Sequence, residues 1–162
     1  MKRAGLLLTL ILTWGQAWAE SRPFTDGSLP EIERAHGGRP FLLAVWSLDC
    51  PPCFRELTLL SEWSKEHPQV DLVLLSADPP EAGALVDETL EQLGLSDLES
   101  WISSDEIPER FRYRLDPQWR GELPRNYFYN AGGQRMAHSG LLPREMLDSW
   151  LATLTQTDEV DH

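Results

Sequence analysis

The sequence predicts a single α/β domain in which a central mixed β-sheet is flanked by helices. Two apolar runs, at 41–46 and 70–76, each lead into a segment with apolar residues at helical spacing. That alternation is typical of parallel strands joined by crossover helices. Two later strand-like runs are joined by Asn130–Gly133, which indicates an antiparallel hairpin. Parallel and antiparallel neighbours together make the predicted sheet mixed.

The N-terminal half supplies the parallel crossover, which we expect to be right-handed. Gly94 ends its last helix, and Pro68 closes the one before. The predicted elements are a loose lead-in at 20–27, a short helix at 29–36, a strand at 41–46, a helix at 52–67, a strand at 70–76 and a helix from about 80 to 93.

The C-terminal half supplies the hairpin and a closing helix. Pro108 fits the first turn of a short helix, because a proline there loses no intrahelical hydrogen bond. The predicted elements are a short strand at 101–103, a helix at 109–114, strands at 125–129 and 134–139, a helix at 143–154 and a polar C-terminal tail at 155–162.

The first nineteen residues have the pattern of a signal peptide. Lys2 and Arg3 precede a short apolar stretch at 4–12, and Ala17–Ala19 fits a small-x-small cleavage site. The apolar stretch is well short of the roughly 20 residues that a spanning helix needs, although an uncleaved anchor is the alternative. We therefore predict a signal peptide at 1–19, a mature domain at 20–154 and a periplasmic location.

The charge of the chain excludes some partners. Loss of Lys2 and Arg3 with the signal peptide changes the formal net charge from −12 to −14. Such a negative chain is a poor ligand for nucleic acid or anionic lipid. The charge suits a basic partner surface or a solvated acidic coat. No glycine-rich phosphate loop follows a strand, so we expect no nucleotide and no other cofactor.

The only two cysteines, Cys50 and Cys53, lie where the first long strand meets a helix. A helix N-terminus favours the thiolate, which is the form that attacks sulfur. We expect Cys50 to be the exposed nucleophile and Cys53, inside the first turn, to close the disulfide and release a bound partner. A tetrahedral metal site needs four ligands, and no second cysteine or histidine pair is present. We therefore predict disulfide exchange and no metal.

The chain resembles the TlpA/ResA-like exported thiol-disulfide oxidoreductases of the thioredoxin superfamily. The resemblance covers about residues 27–154. The 70 residues between Cys53 and Pro124 leave room for the TlpA-like insertion between the parallel crossover and the hairpin. The matching features are Gly38–Pro40 before the strand, Trp46, the Cys50-Pro51-Pro52-Cys53 motif, Glu56, and Leu123-Pro124 before the hairpin.

The resemblance implies a thioredoxin fold and a protein client. Pro124 would be cis and would present the Leu123 backbone to a client strand, with Trp46 beneath the cysteine turn or shaping the substrate groove. The implied clients are cytochrome c maturation or copper-site assembly proteins. A membrane thiol donor would re-reduce the protein, which we expect to be a monomer.

Several residues near the cysteines bear on redox tuning. Pro51 and Pro52 remove N–H donors, and Asp49 adds a carboxylate, so all three disfavour the thiolate and predict a reductase. The proton acceptor for Cys53 is open, because Ala44 replaces thioredoxin's buried aspartate. Glu56 either relays that proton through water or lies on a solvated helix face, and we favour the solvated face.

Two alternative functions use the same fold. A thiol peroxidase would need P-x-x-x-T-x-x-C, but Trp46 and Asp49 occupy the proline and threonine positions before Cys53. The second alternative is a copper metallochaperone. Copper-binding relatives use C-x-x-x-C with a downstream histidine, and the cysteine spacing here is one residue shorter. Both alternatives remain distinguishable by experiment.

Overall fold

A computed structural model of the chain describes residues 20–158. Within this range one six-stranded sheet has the order β1-β4-β3-β2-β5-β6. Neighbours among β1 to β4 run parallel, whereas β5 is antiparallel to both β2 and β6. The predicted mixed sheet is therefore confirmed. The strands are β1 (Arg22–Phe24), β2 (Phe41–Trp46), β3 (Asp71–Ser76), β4 (Glu99–Ser103), β5 (Arg125–Tyr129) and β6 (Arg135–Ser139).

In the described part of the chain five helices flank the sheet, and a 3₁₀ turn at Pro80–Ala82 precedes the third. Their bounds are α1 (Ser28–Ala35), α2 (Pro51–Glu66), α3 (Gly83–Gln92), α4 (Pro108–Leu115) and α5 (Arg144–Asp158). Each lies where the sequence predicts a helix, but α5 continues four residues past Leu154. The predicted signal peptide at 1–19, and residues 159–162 of the tail, lie outside the described residues. No helix within 20–158 is long and apolar enough to cross a membrane.

The prediction of a loose lead-in at 20–27 is wrong, because it contains β1. Arg22–Phe24 pairs in parallel with Trp101–Ser103 of β4 and forms one edge of the sheet. Pro23 is tolerated there because an edge strand leaves one side of its backbone unpaired. Phe24 is fully buried, with its ring edge-on to those of Trp101 and Phe111. That burial stabilises a strand too short to be recognised by its pattern.

An additional helix and strand lie between β3 and α4. After α3 the chain returns as β4, which pairs with β3 from Val73↔Glu99 onward and separates β3 from β1. This α3–β4 unit is the insertion that the spacing between Cys53 and Pro124 predicts. It widens the sheet on the side away from the hairpin.

The core has one apolar layer on each face of the sheet. All six residues of β2 are buried, as expected for a strand covered on both faces. Leu42, Ala44 and Trp46 join the layer under α2, α3 and α5, and the residues between them join the layer under α1 and α4. Because β2 has a neighbouring strand on each side, the turn that follows it lies in the middle of one end of the sheet and not at an edge strand.

Candidate active site

The cysteines lie in the turn that connects β2 to α2. Cys50 caps the helix, and Pro51 and Pro52 fill its first two positions, where an amide has no intrahelical acceptor to lose. The Cys50 N–H donates to the Ser47 carbonyl at 3.1 Å, and the Cys53 N–H donates to the Cys50 carbonyl at 2.9 Å. The turn therefore delivers both cysteines to the N-terminus of a 16-residue helix, as predicted.

Cys50 and Cys53 form a disulfide, with their Cα atoms 5.3 Å apart. Cys53 is fully buried and Cys50 is 7% exposed. The prediction of an exposed Cys50 is therefore wrong in degree, because this cysteine belongs to the apolar layer under α2. It is still the more accessible of the two, and its sequence neighbours Asp49 and Pro51 are exposed.

Trp46 supports the turn from within the core. Its side chain is 1% exposed, and its ring lies edge-on to Phe54 with 6.2 Å between centroids. The indole N–H has no hydrogen-bond partner among the described residues. Burial of this kind fits packing beneath the turn and leaves little surface for contact with a client.

The segment between Trp46 and Cys50 is held by Asp78, which the sequence did not mark as a site residue. Asp78 is 7% exposed and lies just after β3. Its carboxylate accepts hydrogen bonds from the Ser47 hydroxyl and the Leu48 N–H, both at 2.9 Å, and from the Ser76 hydroxyl at 2.7 Å. An acidic residue directly after a buried strand is the one local signal that marks it.

Leu123 and Pro124 lie at the same end of the sheet as the cysteine turn. Val45 pairs with Arg125, so the next step along these strands places Pro124 beside Trp46. The Leu123–Pro124 bond is cis, as the resemblance implies. The Pro124 carbonyl accepts a backbone hydrogen bond from the Gly140 N–H. The N–H and C=O of Leu123 take part in no backbone hydrogen bond among the described residues. The Leu123 backbone is therefore available to an added strand.

Glu56 is buried, at 3% exposure, and the favoured prediction of a solvated helix face is wrong. One carboxylate oxygen accepts a hydrogen bond from the Asn126 side-chain amide at 2.7 Å, and the other accepts from the Leu142 N–H at 2.8 Å. Glu56 follows Cys53 by three residues, so both lie on the same face of α2. That face packs against the sheet, where Asn126 pairs with Ala44.

Comparison with known proteins gives matches at the level of structure. No protein-family model matches the sequence, and no curated protein matches it. A secreted Mycobacterium tuberculosis disulfide oxidoreductase homologous to E. coli DsbE matches over 75% of this chain and 86% of its own, with a TM-score of 0.59 and 19% identity. A thioredoxin-like protein in the oxidised form matches over 89% of this chain and 91% of its own, with a TM-score of 0.61 and 19% identity. The fold is thioredoxin-like.

StoA from Bacillus subtilis matches over 71% of this chain and 84% of its own, with a TM-score of 0.51 and 20% identity. At identities this low, the TM-scores show a shared fold and no shared activity. The predicted thioredoxin fold with an insertion before the hairpin is confirmed.

In this thioredoxin-like domain the buried carboxylate on the same helix face as Cys53 is Glu56 of α2. Strand β2 has Ala44 and no acidic residue. Burial raises the pKa of Glu56, and the hydrogen bonds from Asn126 and Leu142 and the charge of His138 oppose that rise only in part. The Asn126 side-chain oxygen has no partner among the described residues. A carboxylate that has a raised pKa and lies near a thiol is suited to accept the proton of that thiol.

A third buried acid, Asp116, anchors the loop that leads to Pro124, and the sequence did not indicate it. Asp116 accepts hydrogen bonds from the Arg125 guanidinium at 2.9 Å and from the Tyr127 hydroxyl at 3.2 Å. Burial alone would raise the pKa of Asp116, but hydrogen bonds from Gln118, Arg125 and Tyr127 lower it overall. The resulting ion pair fixes the start of β5 next to the site.

A separate groove of about 540 Å³ lies between the hairpin and α5. Neither cysteine lines it. Its apolar walls include Phe128, Met136, Met146 and Trp150. The disulfide, and not this groove, is therefore the feature from which we infer function.

Proposed function

We propose that the protein is a thiol-disulfide oxidoreductase that uses Cys50 and Cys53 to reduce disulfides in client proteins outside the cytoplasm. The observation that carries this proposal is the disulfide between these cysteines at the N-terminus of α2. The neighbouring Leu123 backbone supports it, as does the likeness to a secreted disulfide oxidoreductase. The signal-peptide pattern at 1–19 supports the location.

The reaction begins with the reduced protein. The Cys50 thiolate attacks one sulfur of a client disulfide, which forms a mixed disulfide and expels the other client sulfur as a thiolate. The Cys53 thiolate then attacks the Cys50 sulfur and expels the second client thiolate. Two electrons pass to the client, and the protein is left with the Cys50–Cys53 disulfide.

Glu56 is the proposed proton acceptor for Cys53. Cys53 must lose its proton before it attacks, and no solvent reaches its fully buried side chain directly. Glu56 lies one helical turn away on the same buried face. Its raised pKa lets it hold that proton and release it later.

The client is proposed to dock as an added strand. Main-chain pairing to the free N–H and C=O of Leu123 would hold an extended client segment beside the sulfurs. Cytochrome c maturation and metal-site assembly proteins are the client classes that the family resemblance suggests. A membrane thiol donor would complete the cycle, with the protein acting as a monomer.

Turnover of insulin disulfides tests the proposal. Catalytic amounts of the protein should accelerate insulin reduction by dithiothreitol, and Cys50→Ser should return the rate to that of dithiothreitol alone. Stoichiometric Cu(I) binding without turnover would contradict the proposal and support a copper metallochaperone. Turnover of peroxide in place of insulin would support a thiol peroxidase.

The reduction potential should be that of a reductant. Pro51 and Pro52 offer no N–H to a sulfur anion, and the exposed Asp49 adds negative charge beside Cys50. Both disfavour the reduced, thiolate form. Equilibration with glutathione redox buffers should give a potential more negative than about −200 mV, and a value near −120 mV, typical of strong oxidants, would contradict a reductase.

A further inference from the structure

Asp78 is connected to Cys50 by a short series of hydrogen bonds. Its carboxylate binds Ser47 and Leu48, the first two residues after β2. The Ser47 hydroxyl oxygen also accepts from the Asp49 N–H at 3.2 Å, and the Ser47 carbonyl accepts from the Cys50 N–H at 3.1 Å. Every residue between Trp46 and Cys50 is thus held directly by Asp78 or through Ser47.

Asp78 is itself held in place by hydrogen bonds to the end of β3. Ser76, the last residue of β3, donates its hydroxyl to the Asp78 carboxylate and accepts the Asp78 N–H at 3.0 Å. Ser76 is fully buried and pairs with Trp46 in the sheet. The Ala77 N–H donates to the Trp46 carbonyl at 2.8 Å, which extends this pairing by one bond. The end of β3 is therefore fixed relative to β2, and Asp78 transmits that position to the cysteine turn.

We propose that Asp78 is a positioning residue that sets how readily the Cys50–Cys53 disulfide forms, an inference that rests on the proposed function. Forming this bond transfers two electrons and two protons from the cysteine thiols to an acceptor such as oxidised glutathione, which becomes two glutathione thiols. Its equilibrium depends on the effective concentration of one thiol at the other. A clamped turn keeps that concentration high after the bond is broken, when the turn would otherwise gain conformational freedom.

Asp78→Ala and Asp78→Asn test this role by redox titration against glutathione. The alanine variant loses all three carboxylate contacts, and we expect its equilibrium constant for disulfide formation to fall about tenfold, a shift of about 30 mV toward easier reduction. The asparagine variant keeps one acceptor oxygen and should shift less. Equal shifts in the two variants would overturn the clamp, since the acceptor oxygen that only the asparagine variant keeps would then contribute nothing.

Asp71→Asn is the matched control. Asp71 lies at the opposite end of β3 and binds His36 and Arg39, far along the strand from the cysteine turn. The Asp71→Asn variant should lower the free energy of unfolding without changing the reduction potential of the Cys50–Cys53 disulfide. If Asp78→Ala lowers stability and leaves the potential at the wild-type value, Asp78 has a structural role only and the inference fails. Wild-type protein that titrates reversibly but does not reduce insulin would instead refute the proposed function.

Discussion

A Cys53→Ser variant, reduced and mixed with a client disulfide, should accumulate a stable mixed disulfide through Cys50. Cys50→Ser should accumulate none. The difference follows from burial, because Cys53 is fully buried whereas Cys50 retains some exposure at the start of α2. Without Cys53 nothing releases the client, so turnover should fall to the uncatalysed rate. Intact-mass spectrometry measures the adduct, and peptide mapping identifies the cysteine that carries it.

The two serine variants control for each other. Both remove the disulfide, so any loss of stability from that bond is shared between them. Chemical unfolding curves test whether both variants remain folded, which is required for Cys53 to stay buried in Cys50→Ser. An adduct that forms equally fast in both variants would mean that either cysteine can attack the client and that the order of attack is not fixed.

Glu56→Gln should stabilise the protein and slow its chemistry. The substitution removes a buried charge. If the Asn126 amide turns over, the new side-chain NH2 donates to the Asn126 oxygen, and the remaining side-chain oxygen still accepts from the Leu142 N–H. We expect a gain of about 0.5–2 kcal/mol in the free energy of unfolding at pH 8. The step in which Cys53 releases the client should slow by about 100-fold, the scale of a lost general base. Urea unfolding and rapid-mixing measurements of thiol release check the two effects.

The free energy of unfolding should fall with rising pH as Glu56 ionises. Burial raises the pKa of Glu56 above 4.5 in the folded state, so the unfolded chain ionises first. The wild type therefore loses stability as pH rises from about 4.5 to the folded pKa of Glu56, and the loss is complete above that value. The stability gained in Glu56→Gln should grow across the same window and then stay constant.

Glu62→Gln is the control, because Glu62 is exposed on the same helix. It should change neither the stability nor the rate of client release. A Glu56→Gln variant that is less stable than wild type at pH 8 would show that Asn126 and Leu142 stabilise the charge more than burial penalises it. Release at the wild-type rate would remove Glu56 from the mechanism.

The cysteine turn was predictable because all of its signals are local. An apolar strand, two cysteines around two prolines, and a helical pattern follow one another in the chain, so propensity and spacing are sufficient. The strand β1 was not predictable in the same way. Its three residues include Pro23, and they pair with β4 almost eighty positions later. Only tertiary burial of Phe24 makes that segment a strand.

The burial of Glu56 and Asp78 also depends on distant residues. Glu56 is covered by Asn126 and Leu142, and no periodicity in α2 distinguishes a covered glutamate from a solvated one. The one local signal is Ala44, the smallest residue of β2, which pairs with Asn126 in the sheet. Asp78 acquires its role only when β3 lies beside β2.

A single-turnover reaction measures whether Cys50 and Cys53 supply the electrons that reduce a disulfide. Reduced wild-type protein is mixed with an equimolar peptide disulfide and no other reductant, and both products are analysed by intact mass under acid quench. We expect each peptide disulfide reduced to be matched by the loss of two hydrogen atoms from one protein molecule, mapped to a Cys50–Cys53 bond. Peptide reduction with Cys50 and Cys53 still free, or a protein that remains reduced beside intact peptide, would contradict it.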